Sequence, residues 1–160
     1  MTLNYIPTEK IIIDTVSIQF NDNRSSIRTR LSMPHTEDNQ IIQLSDLDTT
    51  PIVQRRDIYK NINFTDNYFF LGYNEDDLLN EIEIHFCEKI NVFDITFDFN
   101  DSIEAIKIKL RRYSSVIKRD DGEYFFKELK AVIMNQDRMG GEGNDLAYFY
   151  CASDVTHLMD

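Results

Sequence analysis

Residues 73–104 read YNEDDLLNEIEIHFCEKINVFDITFDFNDSIE, and the reading of this stretch decides the fold. Phe93, Ile95, Phe97 and Phe99 alternate with Asp94, Thr96 and Asp98. That two-residue period predicts an extended strand with its apolar side chains on one face and its carboxylates on the other. Just upstream, Ile82, Ile84 and Phe86 alternate with Glu83, His85 and Cys87, which predicts a second strand. The stretch is also where the charge lies. Glu75, Asp76, Asp77, Glu81, Glu83, Glu88, Asp94, Asp98, Asp101 and Glu104 face the single base Lys89, a balance of −9 within a chain whose net charge is −11. Residues 105–130 reverse the sign: eight bases stand against four acids.

A chain of 160 residues is one domain by length, spanning 1–160, and can bury roughly 70% of the surface its unfolded form exposes. With 42% hydrophobic residues, 11 Phe and 8 Tyr, enough apolar area is present to offset chain entropy, so general disorder is excluded. Two cysteines, Cys87 and Cys151, make neither a disulfide framework nor a zinc set, which fits a reducing cytoplasm. The apolar run Ile11, Ile12, Ile13 stops at Asp14, and no stretch approaches a membrane span. The acidic balance argues against direct nucleic-acid binding, where Lys and Arg must replace counterions, and favours a basic partner.

Outside the central stretch, a turn is expected around Pro7. Residues 15–20 (TVSIQF) and 27–33 (IRTRLSM) read as the strands of a β-hairpin joined by the turn formers Asn21, Asp22, Asn23 and Arg24. Residues 34–50 are polar, with Ile41 and Ile42 marking a short edge strand. Thr50 before Pro51 signals a helix to about Lys60. Residues 68–71 (YFFL) form a buried strand ended by Gly72. Asp101 and Glu104 fit a capping box before a helix whose face is Ile103, Ile106, Leu110, Tyr113 and Ile117, a reading preferred to a strand because its apolar face is longer. Asp120, Asp121 and Gly122 then open a second helix with the stripe Phe125, Leu129, Val132 and Ile133. Residues 146–151 (LAYFYC) read as a buried strand, and Asp154 as the cap of a last helical turn. The fold class expected is α+β: mainly antiparallel β-sheet with two or three packed α-helices.

The chemistry-bearing motifs are few. His85 and Cys87, two apart on a strand, would share a face, but zinc needs three or four ligands and the other candidates, Cys151, His35 and His157, are distant; no metal and no cofactor is expected. Gly140, Gly141 and Gly143 follow a helical pattern, lie beside Glu142 and Asp145 and lack the lysine of a phosphate loop. Asp94 and Asp98, four apart on a strand, stand about 13 Å apart, too far to act as an acid/base pair. No nucleophile signature appears, and the chain is read as a binding protein rather than an enzyme. The constellation that remains is an acidic surface formed by Asp76, Asp77, Glu81, Glu83, Asp94 and Asp98 with Tyr73 as its aromatic anchor, suited to steering and holding a basic partner.

In length, acidity and aromatic content, and in YFFLGYNEDDLLNEIEIHF running into a strong strand, the chain resembles the small immunity proteins of bacterial contact-dependent inhibition and other polymorphic toxin systems. The resemblance implies a protein that binds a cognate toxin domain, often a basic nuclease and an RNase before a DNase, and covers its active or substrate-binding site; a cytoplasmic location is expected, and a monomer is favoured. It assigns no numbered residue a role. Two other readings stand beside it: a nucleic-acid-mimicking inhibitor or antitoxin-like protein of another system, and a small enzyme or ligand-binding domain with a pocket between sheet and helices.

Overall fold

The computed structural model describes residues 1–43 and 51–158. It is an α+β protein dominated by antiparallel sheet. Strands β1 (Thr2–Ile6), β2 (Lys10–Ile13) and β3 (Val16–Gln19) form a meander, with the expected turn at Pro7. Helix α1 (Arg24–Leu31) follows, then β4 (Thr36–Ile42), β5 (Ile52–Lys60), β6 (Tyr68–Tyr73) and β7 (Leu79–Phe86). The chain continues through β8 (Lys89–Val92), β9 (Ile95–Phe97) and helix α2 (Ile103–Leu110). It closes with β10 (Val116–Asp120), β11 (Glu123–Phe126), β12 (Ala131–Asn135) and β13 (Leu146–Ala152). The small sheet has the order β3-β2-β1-β8-β9 and the large one β10-β11-β12-β13-β7-β6-β5-β4. β1 and β8 pair in parallel, Leu3 opposite Ile90.

The central stretch therefore does more than form two strands, because it joins the two sheets: β7 lies inside the large one and β8 inside the small one. One apolar cluster draws Leu3, Tyr5, Ile11 and Ile18 from the small sheet and Phe69, Leu71, Ile84, Ile133 and Phe149 from the large one. The Tyr5 hydroxyl donates to the Leu129 carbonyl at 2.6 Å, satisfying the one polar group this ring buries. α1 contributes Ile27 and Leu31 to the cluster, and α2 contributes Ile103, Ile106 and Leu110. A second apolar cluster, Phe125, Val132, Tyr150, Ala152 and Val155, lies apart from the first. No helix among the described residues is long and apolar enough to cross a membrane.

Several expectations are corrected. Residues 27–33 belong to a helix and its exit, not to a hairpin strand. Asn23, expected in a turn, is the N-cap, its side-chain oxygen accepting from Ser25 N–H at 3.0 Å, and Ile27 and Leu31 are a helical pair four apart that also happens to fit an alternating pattern. Residues 52–60 form β5 rather than a helix; the proposed start at Thr50 lies outside the described residues. The strand period was hidden there because the buried position between Arg55 and Tyr59 is a carboxylate, Asp57.

α2 stops at Leu110, so Tyr113 is off the helix and Ile117 lies in β10. Ser102, not Asp101, is the cap, and the Ser114 and Ser115 hydroxyls with the Ser115 N–H are taken by Glu128, an alternative to helical hydrogen bonding. Burial of the helix expected over 120–133 is real, but it is the hairpin β11–β12. Tyr124 and Phe126 join the main core while Phe125 joins the second cluster, so both faces are apolar and the two-residue alternation disappears. Gly72 lies within β6 rather than ending it. The edge strand at Ile41 and Ile42, the strands at 68–71, 82–86 and 146–151, and the turn capped by Asp154 are present as expected, Thr156 N–H donating to Asp154 Oδ1 at 2.9 Å.

Candidate protein interface

The predicted acidic residues do not form one surface. Tyr73 is 5% exposed, with the Arg24 guanidinium 4.9 Å above its ring, so it is a core residue and not an exposed anchor. Asp76 and Asp77 lie in the β6–β7 turn, where Asp77 accepts from Arg55 at 2.7 Å and lies 3.5 Å from Arg24. Hydrogen bonding to Arg55 holds its carboxyl below the usual carboxylate range. Glu81 and Glu83 are on β7 in the large sheet. Asp94 is in the turn between β8 and β9, because Phe93 adopts φ 55° and breaks the alternation there. Phe93 is consequently half-exposed against Tyr113, and Asp94 takes the Tyr113 hydroxyl at 2.5 Å and Arg112 at 3.2 Å. Asp98 follows β9 and accepts from Asn100 N–H at 2.8 Å.

Asp98 does border a cleft of about 420 Å³, lined also by Asp66, Phe86, Glu88, Lys89 and Phe99. Its position follows from the crossing between the sheets. At Cys87 the chain leaves β7, the thiol turns inward, and Phe86 is left 38% exposed against Phe99, ring centroids 5.4 Å apart. The register slip opposite Tyr68 and Phe69 puts Phe86 out and Cys87 in, so His85 and Cys87 do not share a face as expected. Burial, with Asp14 and Glu88 adding to it, pushes the Cys87 thiol up to about 12, so it is a protonated packing group rather than a nucleophile at neutral pH.

The other wall of the cleft is the loop at 61–66. Asn61, Asn63 and Phe64 all have positive φ, at 53°, 56° and 58°. Asparagine tolerates this conformation; an aromatic residue does so at a cost of about 1–2 kcal/mol. The loop is held by Asn67, fully buried. Its Oδ1 accepts from Ile62 N–H at 3.1 Å, and its Nδ2 donates to the carbonyls of Ile62 at 3.0 Å and Thr65 at 2.9 Å. Ile62 anchors the loop in the core, and Phe64 stands fully in solvent. Asp14 joins the loop to the small sheet, accepting from Thr2 N–H at 2.8 Å and from Asn63 at 3.1 Å.

This end of the molecule thus combines Asp14, Asp66, Glu88 and Asp98 with the exposed rings of Phe64 and Phe86, and Lys89 is the side-chain cation in the cleft lining. Such a surface can draw a basic partner by its field and hold it by apolar contact. Of the seven predicted residues only Asp98 lies on it. Phe64 was missed although a signal was present: one aromatic residue set in the polar, asparagine-rich run NINFTDN. Among the described residues no group of three His, Cys, Asp or Glu side chains is placed to hold a metal ion. No family model matches the chain, and no curated protein or solved structure matches it either.

Proposed function

We propose that the chain is an inhibitory binding protein of the immunity type, which takes a basic toxin domain, a nuclease, against its acidic cleft and covers that domain's active or substrate-binding site. The observation that carries this reading is Phe64: a fully exposed aromatic ring on left-handed backbone, fixed by a buried asparagine and flanked by carboxylates. Strained backbone that the surrounding structure over-determines is characteristic of functional sites, and this ring buries none of its own surface. A pre-organised loop also loses little entropy on binding.

The test uses the full chain to capture proteins from its native strain, followed by affinity and nuclease measurements on the purified partner. Phe64→Ser should weaken binding by about 30-fold or more, the size expected of an aromatic hot spot, while leaving thermal stability unchanged. Asp66→Lys with Asp98→Lys should slow association and flatten its salt dependence. The captured partner should be a basic nuclease inhibited by the wild type and not by Phe64→Ser. An unaltered affinity in a variant that combines Phe64→Ser, Asp66→Lys and Asp98→Lys would remove the cleft from the interface. A partner that binds nucleic acid without cutting it would point instead to the nucleic-acid-mimicking inhibitor.

A further inference from the structure

A separate groove of about 220 Å³ crosses four adjacent strands of the large sheet, in the order β11, β12, β13, β7. Glu123 on β11 stands at one end, and Glu81 and Glu83 on β7 at the other. Between them lie Val132 and Met134 of β12 and the rings of Tyr148 and Tyr150 of β13. The cross-strand register sets this order, with Met134 opposite both Glu123 and Tyr148, and Tyr150 opposite both Val132 and Glu83. The two tyrosine rings are nearly parallel, 11° apart in plane with centroids 6.3 Å apart, and both line the groove. At roughly 4.8 Å per strand spacing, the backbones carrying the two acidic ends are about 14 Å apart.

The carboxylates are sheltered: Glu123 exposes 11% of its side chain and Glu83 18%. Their cations sit beyond hydrogen-bond length. Arg119 and Arg138 lie 3.6 and 3.5 Å from Glu123, and Arg56 lies 3.8 Å from Glu83. Glu81 accepts from the Tyr150 hydroxyl at 2.8 Å. His85 Nε2, 3.7 Å from Glu83, is buried and has no hydrogen-bond partner. Ion-paired carboxylates at both ends of an aromatic and aliphatic trough offer N–H donors further acceptor positions at the ends, with apolar surface for methylenes between them.

We infer that this groove binds a linear aliphatic di- or polyamine, its ammonium ends on Glu123 and on the Glu81–Glu83 pair and its methylene chain against Tyr148, Tyr150 and Met134. The same chemistry can be delivered by a free amine or by lysine side chains of a protein. Isothermal titration of the full chain with spermidine, putrescine, n-butylamine and a dilysine peptide distinguishes them. A two-ended amine should bind one to one, with n-butylamine about tenfold weaker or worse. Glu123→Gln and Glu83→Gln should each weaken it about tenfold, the loss of one charge-assisted contact. Asp98→Asn, in the cleft of the proposed interface, should leave it unchanged, which separates this groove from that surface and from non-specific attraction to an acidic protein. Tighter binding by the peptide than by the free amines would assign the groove to a protein's lysines. Equal affinity for n-butylamine and the two-ended amines, unchanged binding in the Glu83→Gln/Glu123→Gln double variant, or no heat at millimolar amine would each overturn the inference.

Discussion

Asp57 is the residue on which a layer of the structure depends. It has no exposed surface, and both of its oxygens are used: Arg24 donates to Oδ1 at 2.6 Å, and Arg28 donates to Oδ2 at 2.8 Å and to Oδ1 at 2.5 Å. Burial alone would raise its pKa, but the Arg28 and Arg24 hydrogen bonds outweigh burial and hold the carboxyl below the ordinary value. A depressed folded-state pKa contributes stability that is present above the unfolded value, about 4, and is lost as pH falls through the folded one. Asp57→Asn should therefore cost about 3–5 kcal/mol at pH 7, because it takes from Arg24, 6% exposed in its side chain, its one fully buried carboxylate partner and leaves it only the longer ion pairs to Asp77 at 3.5 Å and Glu37 at 3.9 Å. Urea unfolding of both proteins between pH 7 and pH 3 checks this: the gap should narrow below about pH 4, as the wild type loses its own carboxylate. A gap constant across that range would show that the ion pairs contribute nothing to folding.

At the scale of elements, the β11–β12 hairpin and the turn before it show how local geometry sets a strand that composition disguises. Gly122 turns β10 into β11 at φ 82°, and a Cβ there would lie 2.2 Å from the Asn135 side-chain oxygen. Asn135 is itself committed, accepting from Arg138 N–H at 2.9 Å and donating to Asn144 at 3.1 Å. Gly122→Ala meets both an unfavourable backbone conformation and a side chain that cannot withdraw without losing hydrogen bonds. It should destabilise by about 2 kcal/mol or more, read as a lowered urea midpoint with an unchanged slope. Had 120–133 been a helix, the same substitution near its start would be neutral or stabilising.

For the whole molecule, Phe149 is where the two sheets meet. It is fully buried on β13 of the large sheet, with Tyr5 of β1 at 6.0 Å in an edge-to-face arrangement and Phe97 of β9 at 5.9 Å. Phe149→Ala should cost about 3–5 kcal/mol through lost burial and the cavity left behind. Because its neighbours lie on both sheets, tyrosine fluorescence and far-UV circular dichroism should still report one coincident transition at the lower midpoint. Transitions that separate would mean that the sheets unfold independently.

Much of the strand content was legible in the sequence because strands with one apolar and one polar face announce themselves by alternation, as at Ile82 and Ile84 and at Ile95, Phe97 and Phe99. The acidity of residues 73–104 and the lack of a catalytic motif were legible for the same reason: they are properties of residue type and spacing. What alternation could not mark were elements whose inward face carries charge, as β5 does at Asp57, or whose two faces are both apolar, as in β11 and β12. The acidic surface was only partly legible. A carboxylate's position in the chain says nothing of whether an arginine from another element will meet it, and Asp77 and Asp94 are met in this way. Sequence by itself determined an acidic, sheet-rich α+β protein. Tertiary structure decided which carboxylates stay on a common surface and placed Phe64 beside them, because surface identity depends on which strands become neighbours, and register and long-range pairing set that.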